Sequence, residues 1–155
     1  GSAGAKEEAA CALSSLALNA ENEVAIVRAG ALEPLVQLLR DGSAGAKERA
    51  AGALCNLAVN AENQVAIVRA GALEPLVQLL RDGSAGAKEQ AAFALRNLAV
   101  NAENKVSIVR EGALRPLVQL LRDGSAGAKE EAACALSSLA LNAENEVAIV
   151  RAGAL

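Results

Sequence analysis

Very few side chains in this sequence can do covalent or metal chemistry. It has no histidine, and its three cysteines, Cys11, Cys55 and Cys134, stand too far apart for a zinc site or a disulfide framework. Cys55 has no partner base and reads as an inert helix residue rather than a nucleophile. No acidic pair stands apart for general acid–base work. Gly83-Ser84-Ala85-Gly86-Ala87-Lys88 has a faint likeness to a phosphate-cradling loop, but it lacks the full spacing, a hydroxyl residue after the lysine and a preceding strand. A tight turn between helices accounts for it better. These residues argue against an enzyme and imply neither cofactor nor metal. What remains is a set of charged and amide side chains whose chemistry is hydrogen bonding and ion pairing.

Those side chains sit on a repeating frame. Gly1-Ser2-Ala3-Gly4-Ala5-Lys6-Glu7 returns at Gly42, Gly83 and Gly124, a period of 41 residues, and residues 124–155 copy 1–32. A period of this size marks a stacked-repeat protein, in which no unit can bury its apolar face alone. The composition agrees: 53% of residues are hydrophobic, yet Phe93 is the one aromatic residue, so the core is Ala, Leu, Val and Ile. Such residues, Ala and Leu above all, suit helices and let them approach closely. The net charge of −3 is small and mixed in sign, which excludes a basic nucleic-acid footprint. No apolar run is long enough to span a bilayer, so no membrane partner is expected. Unpaired cysteines fit a reduced compartment, cytoplasmic or nuclear, if the protein is natural.

Each unit reads as three helices. Residues 60–71 open with a capping Asn and close with Gly71, suited to a left-handed C-cap. Residues 72–81 carry Pro75 in their first turn, where a missing N–H costs little. Asp82-Gly83-Ser84-Ala85-Gly86 then breaks the chain and offers a Ser cap to a third, longer helix over roughly 87–100, with Glu89 in its first turn to meet the helix dipole. No stretch alternates with the period of a strand.

Gly-Ala-Leu-x-Pro-Leu-Val-x-Leu-Leu at 30–39 and Ala-Ala-x-Ala-Leu-x-Asn-Leu-Ala at 91–99 resemble the second and third helices of an armadillo repeat. The preceding Asn-Ala-Glu-Asn-x-Val-x-Ile-Val is similar to that family's short first helix. The resemblance covers every unit and implies an all-α, right-handed α-solenoid of three-helix repeats. It divides 1–155 as a single array: 1–19 the third helix of a partial repeat, 20–60, 61–101 and 102–142 full repeats, and 143–155 the first helix of another partial repeat. It also implies a binding scaffold whose third helices line a concave groove for an extended peptide or protein segment.

Comparison of the units locates that groove. Nine offsets vary, and five lie on the third helix: Glu8/Arg49/Gln90, Cys11/Gly52/Phe93, Ser14/Cys55/Arg96, Ser15/Asn56/Asn97 and Leu18/Val59/Val100. At about 100° per residue these five fall within roughly 120° of arc. The unvarying Ala9, Ala10, Ala12, Leu13, Leu16 and Ala17 fill the opposite arc and are expected to be core, which leaves the varied arc exposed. The candidate peptide-groove residues are therefore Glu48, Arg49, Gly52, Asn56, Glu89, Gln90, Phe93, Arg96 and Asn97. The resemblance gives Asn56 and Asn97 the role of holding peptide backbone, since an amide donates and accepts together. Where such proteins carry a Trp four residues earlier, this chain has Cys11, Gly52, Phe93 and Cys134, which argues against importin-like recognition of basic peptides. Glu48 and Glu89 favour basic side chains and Arg49 and Arg96 oppose them, so the groove is mixed in sign.

A second class of function stands beside the first. The units are almost identical, which suits an engineered array. The sequence begins with a third helix and stops two residues into a second one. Its two ends are complementary parts of one repeat, so head-to-tail stacking or swapping into a homo-oligomer is expected. On this reading the chain is a structural or designed solenoid without a natural ligand.

Overall fold

The structure, a computed structural model, describes residues 2–142, 145 and 149–153. Among the described residues there are helices and no strands. In chain order they are α1 (Ala3–Leu16), α2 (Ala20–Arg28), α3 (Leu32–Asp41), α4 (Ala44–Leu57), α5 (Ala61–Arg69), α6 (Leu73–Asp82), α7 (Ala85–Leu98), α8 (Ala102–Arg110), α9 (Leu114–Asp123) and α10 (Ala126–Ala140). The long helices α1, α4, α7 and α10 stack on one another, α3, α6 and α9 pack against them, and the short α2, α5 and α8 close each layer. The molecule is an all-α solenoid. The helix expected over 143–155 lies largely outside the described residues.

Local chemistry sets each boundary. The Asn60 side chain accepts from the backbone N–H of Glu62 at 2.9 Å and of Asn63 at 3.4 Å, capping α5. That helix ends before Gly71, whose φ of +85° is left-handed and strained for any residue with a Cβ. A guanidinium from the preceding unit then reaches the freed carbonyl: Arg40 Nη2 donates to Gly71 O at 3.4 Å.

The long helix departs from expectation at both ends. It starts at Ala85, not near Ala87, because Ser84 Oγ accepts from Ala87 N at 3.1 Å and draws Gly86 into the first turn. It stops at Leu98, before Val100. Glu89 is therefore past its own helix's first turn. Its carboxylate instead accepts from Ser125 Oγ at 3.3 Å, at the start of α10, as Glu48 accepts from Ser84 at the start of α7. The dipole argument holds, but the carboxylate complements the helix of the following unit.

Packing follows the solenoid principle. In α4, Ala50, Ala51, Ala53, Leu54 and Leu57 are all fully buried, as is Ala58 at its C-cap. In α1 the matching Ala9, Ala12 and Leu16 are exposed, because no described unit lies on that side. The unvarying arc is thus core only where a neighbouring unit covers it. Each buried Leu is worth about 1.5–3 kcal/mol, so most of a unit's stability resides in its interfaces.

Buried asparagines tie the short helices together. Asn63 Nδ2 donates to Leu57 O at the end of α4 and to Glu23 O of α2, both at 3.1 Å. Asn104 repeats this with Leu98 O at 3.1 Å and Gln64 O at 3.2 Å. Each such side chain adds a second hydrogen bond to carbonyls of two different helices, Leu57 O and Leu98 O already accepting from Asn60 N and Asn101 N at 3.3 Å, and so pins those helices together.

Candidate functional site

Stacking α1, α4, α7 and α10 lines up the varied arcs as one continuous surface. The helix period sends residues 48, 49, 52, 56 and 59 of α4 and its C-terminal turn to the same side, and 89, 90, 93, 97 and 100 follow one layer on. Between these helices lies an open hollow of about 260 Å³, lined by Ser14, Glu48, Arg49, Gly52, Asn56, Gln90 and Phe93. Six of the nine candidate residues meet there. Glu89, Arg96 and Asn97 are not among its lining residues; Glu89 and Arg96 turn toward α10, and Asn97 reaches back to α4.

Gly52 is the reason the hollow exists. A Cβ there would meet Gln90 Oε1 at 3.5 Å and Ser14 Oγ at 3.7 Å, which is ordinary contact, so the glycine is permissive rather than compulsory. One unit on, the same offset holds Phe93, and the neighbouring Arg96 places its guanidinium carbon 5.4 Å from the ring centroid. Arg96 Nη1 also donates to Glu131 Oε2 at 2.9 Å. Phe93, Arg96 and Glu131 thereby fill, one unit on, the place equivalent to the one that Gly52 leaves vacant. The Glu131 hydrogen bond is the main cause holding the Arg96 guanidinium above its ordinary value; burial opposes it.

The two groove asparagines already hold backbone. Asn56 Nδ2 donates to Ser14 O at 3.0 Å and to Ser14 Oγ at 3.2 Å. Asn97 Nδ2 donates to Cys55 O at 3.0 Å and to Cys55 Sγ at 3.6 Å. Because the partner is a carbonyl, the amide nitrogen must face it, and the amide oxygen points elsewhere. Sequence reasoning placed these residues but missed the contact. Its signal was faint: a spacing of 42 residues, one more than the period.

Other side chains also differ from expectation. The varied arc is not uniformly exposed, since Cys55 is only 1% accessible. It lies at the edge of the arc, under the following layer. Burial is the main cause that pushes its thiol from 9.0 up to about 12, with Glu131 adding to the rise and Arg96 opposing it. A thiol so protonated is a poor nucleophile. Glu48 and Glu89, expected to attract basic side chains, are engaged with the serine caps of the next helices. Arg49 is exposed, and Nη1 points toward Cys11 Sγ at 3.6 Å. Val59 and Val100, both about two-thirds exposed, form an aliphatic rim where the long helices end. Among the described residues no helix is long and apolar enough to cross a membrane.

The family model described as armadillo/beta-catenin-like repeat matches three tandem segments, 19–59, 60–100 and 101–141. Comparison with curated proteins finds no match. Among solved structures, an engineered protein from the Northeast Structural Genomics Consortium superimposes with a TM-score of 0.93 at 38% identity, over 98% of this chain and 63% of its own. Computationally designed armadillo repeat proteins for modular peptide recognition give 0.91 at 38% identity, over 96% and 64%. A designed armadillo repeat protein in complex with the peptide (KR)4 gives 0.90 at 39%, over 96% and 64%. The chain thus spans less than two thirds of the length of these structures.

Proposed function

The chain belongs to the armadillo/beta-catenin-like repeat family, and from that premise we propose that it is a non-enzymatic scaffold that binds an extended peptide along the surface of α1, α4, α7 and α10. The observation that carries this reading is the hollow over Gly52, where the side chains of Ser14, Glu48, Arg49, Asn56, Gln90 and Phe93, from three successive long helices, converge on one open space. Its size suits a single side chain of a bound segment. Asn56 and Asn97 then contribute differently from the expectation. Their Nδ2 groups hold the array together, and their Oδ1 atoms remain to accept peptide N–H groups. The peptide complex of a designed relative supports the general mode.

Panning a random extended-peptide library against the full chain tests this. Retained peptides should shift the backbone amide resonances of Gly52 and Asn56, and Gly52→Phe, which fills the hollow, should weaken them at least about tenfold, the cost of a blocked pocket contact. Shifts confined to α3, α6 and α9, or affinity indifferent to Gly52→Phe, would overturn the reading.

Association of copies is a second reading with its own observation. Beside α1 lies an apolar cleft of about 500 Å³ lined by Ala9, Ala10, Leu13, Leu35 and Leu38 among others. In the following layers the corresponding face is covered by α3 and α6, so a unit from a second copy would suit it. The near-identity of units and the likeness to engineered structures support an engineered origin. Light scattering over a concentration series checks the association; a mass that stays monomeric at high concentration rules it out.

A further inference from the structure

We propose that the hollow over Gly52 selects a carboxylate, so that the peptide this array binds carries an acidic side chain opposite Arg49. The inference rests on the peptide-groove reading and adds the chemistry of the ligand to it.

Several charges along the groove are already answered within the protein. Glu48 and Glu89 each accept a serine hydroxyl at 3.3 Å and lie against the first turn of the next long helix. A Cβ on Gly86 would stand 2.5 Å from Glu48 Oε1, so that carboxylate is seated on the amino-terminal turn of α7. The positive end of the helix and the cap hydroxyl both answer its charge. Arg96 is answered by Glu131 at 2.9 Å, the sole ion pair among the described residues. Arg49 is different. It is exposed at the edge of the hollow, and the partner it reaches is the thiol of Cys11 at 3.6 Å, which carries no charge to match it.

The closed junction displays the chemistry that the open one lacks. At the boundary of α7 and α10, a groove guanidinium stacks on Phe93 and takes a carboxylate from the adjoining helix. Glu131 acts there as a built-in ligand. Moving one unit back, the offset of Glu131 is Gln90 and that of Arg96 is Cys55; two units back, these offsets are Arg49 and Ser14. The chain therefore offers a guanidinium beside the hollow, and among the described residues no carboxylate forms an ion pair with it. Phe93 forms the opposite wall, where the hydrocarbon stem of a Glu side chain can lie. Asn56 Oδ1 is left to accept an N–H from the peptide backbone, since its Nδ2 is committed to Ser14. A basic side chain directed at Glu48 would have to displace the Ser84 hydroxyl and compete with the helix terminus.

The test is calorimetric titration of the full chain with three blocked octapeptides in which Ser alternates with Glu, with Gln or with Lys. The Glu peptide should bind about five-fold more tightly than the Gln peptide, the scale of one partly exposed ion pair. The Lys peptide should bind more weakly than both. Arg49→Gln should abolish the Glu-over-Gln preference. Glu131→Gln, which releases Arg96, should strengthen the Glu peptide further and leave the Gln peptide alone. A preference for Lys, or a Glu preference that survives Arg49→Gln, overturns the carboxylate assignment and leaves the groove standing. Failure of all three peptides to bind removes the groove reading, and this inference goes with it.

Discussion

The junction around Gly52 and the junction around Phe93 share one backbone and differ in chemistry. Both rest on a fully buried face, Ala50, Ala53, Leu54 and Leu57 in α4 and Ala91, Ala94, Leu95 and Leu98 in α7. Each is tied to the preceding unit by an asparagine that donates to a carbonyl at 3.0 Å. On the groove side one is a hollow beside an unanswered Arg49, and the other is filled by Phe93, Arg96 and Glu131. The lesson is a separation of duties. Interfaces between units must interlock with near-copies and admit no variation. Apart from the asparagine ties and the buried Cys55, the outer arc can be changed residue by residue at little cost to the frame.

That separation can be broken most forcefully at the frame. Leu57→Ala and Leu98→Ala occupy the same offset, and both side chains are completely buried. Each should cost about 3 kcal/mol, within roughly 0.5 kcal/mol of the other, by urea unfolding. A large disparity would mean that the two frames are not equivalent. Next in size come the ties. Asn56→Ala and Asn97→Ala each strip a donor from a half-buried carbonyl and should each lose about 1–2 kcal/mol in thermal melts. A negligible loss would show that neither amide ties the units together.

The smallest effect sharpens the comparison at one offset, where the open junction has Cys55 and the closed one Arg96. Burial raises the folded-state pKa of the Cys55 thiol, so its contribution is complete below the ordinary thiol value of 9.0 and is lost as pH climbs toward about 12. Between about pH 8 and pH 9.5 the protein should lose under about 1 kcal/mol through this group. Cys55→Ala should lack that increment, with folding free energy measured at both pH values. An identical decline in the variant would place the alkaline sensitivity elsewhere.

Much of this was legible in the residues. The 41-residue period, the asparagine cap at 60, the glycine stop at 71 and the early proline at 75 each have a local cause and give the helices their order. Which residues share the varied arc of the long helix could be gathered by counting around a helix. Three things escaped that count. Glu89 serves the neighbouring helix rather than its own, Asn97 reaches back to Cys55, and Arg96 pairs with Glu131 across 35 residues. All three are contacts between layers, and their geometry depends on how far one unit is rotated and shifted against the next. Cys55 was misjudged for the same reason, since its burial comes from the adjacent layer.

The sequence by itself determined that this is an array of helical triplets and which arc of the long helix is free to vary. Helix periodicity and capping are local, and comparing near-identical units within one chain separates what must interlock from what need not. Only the tertiary structure decided which groups on that arc remain available to a ligand. Availability depends on distances between side chains of different units, and the stacking that brings them within a few ångströms is encoded in no single repeat.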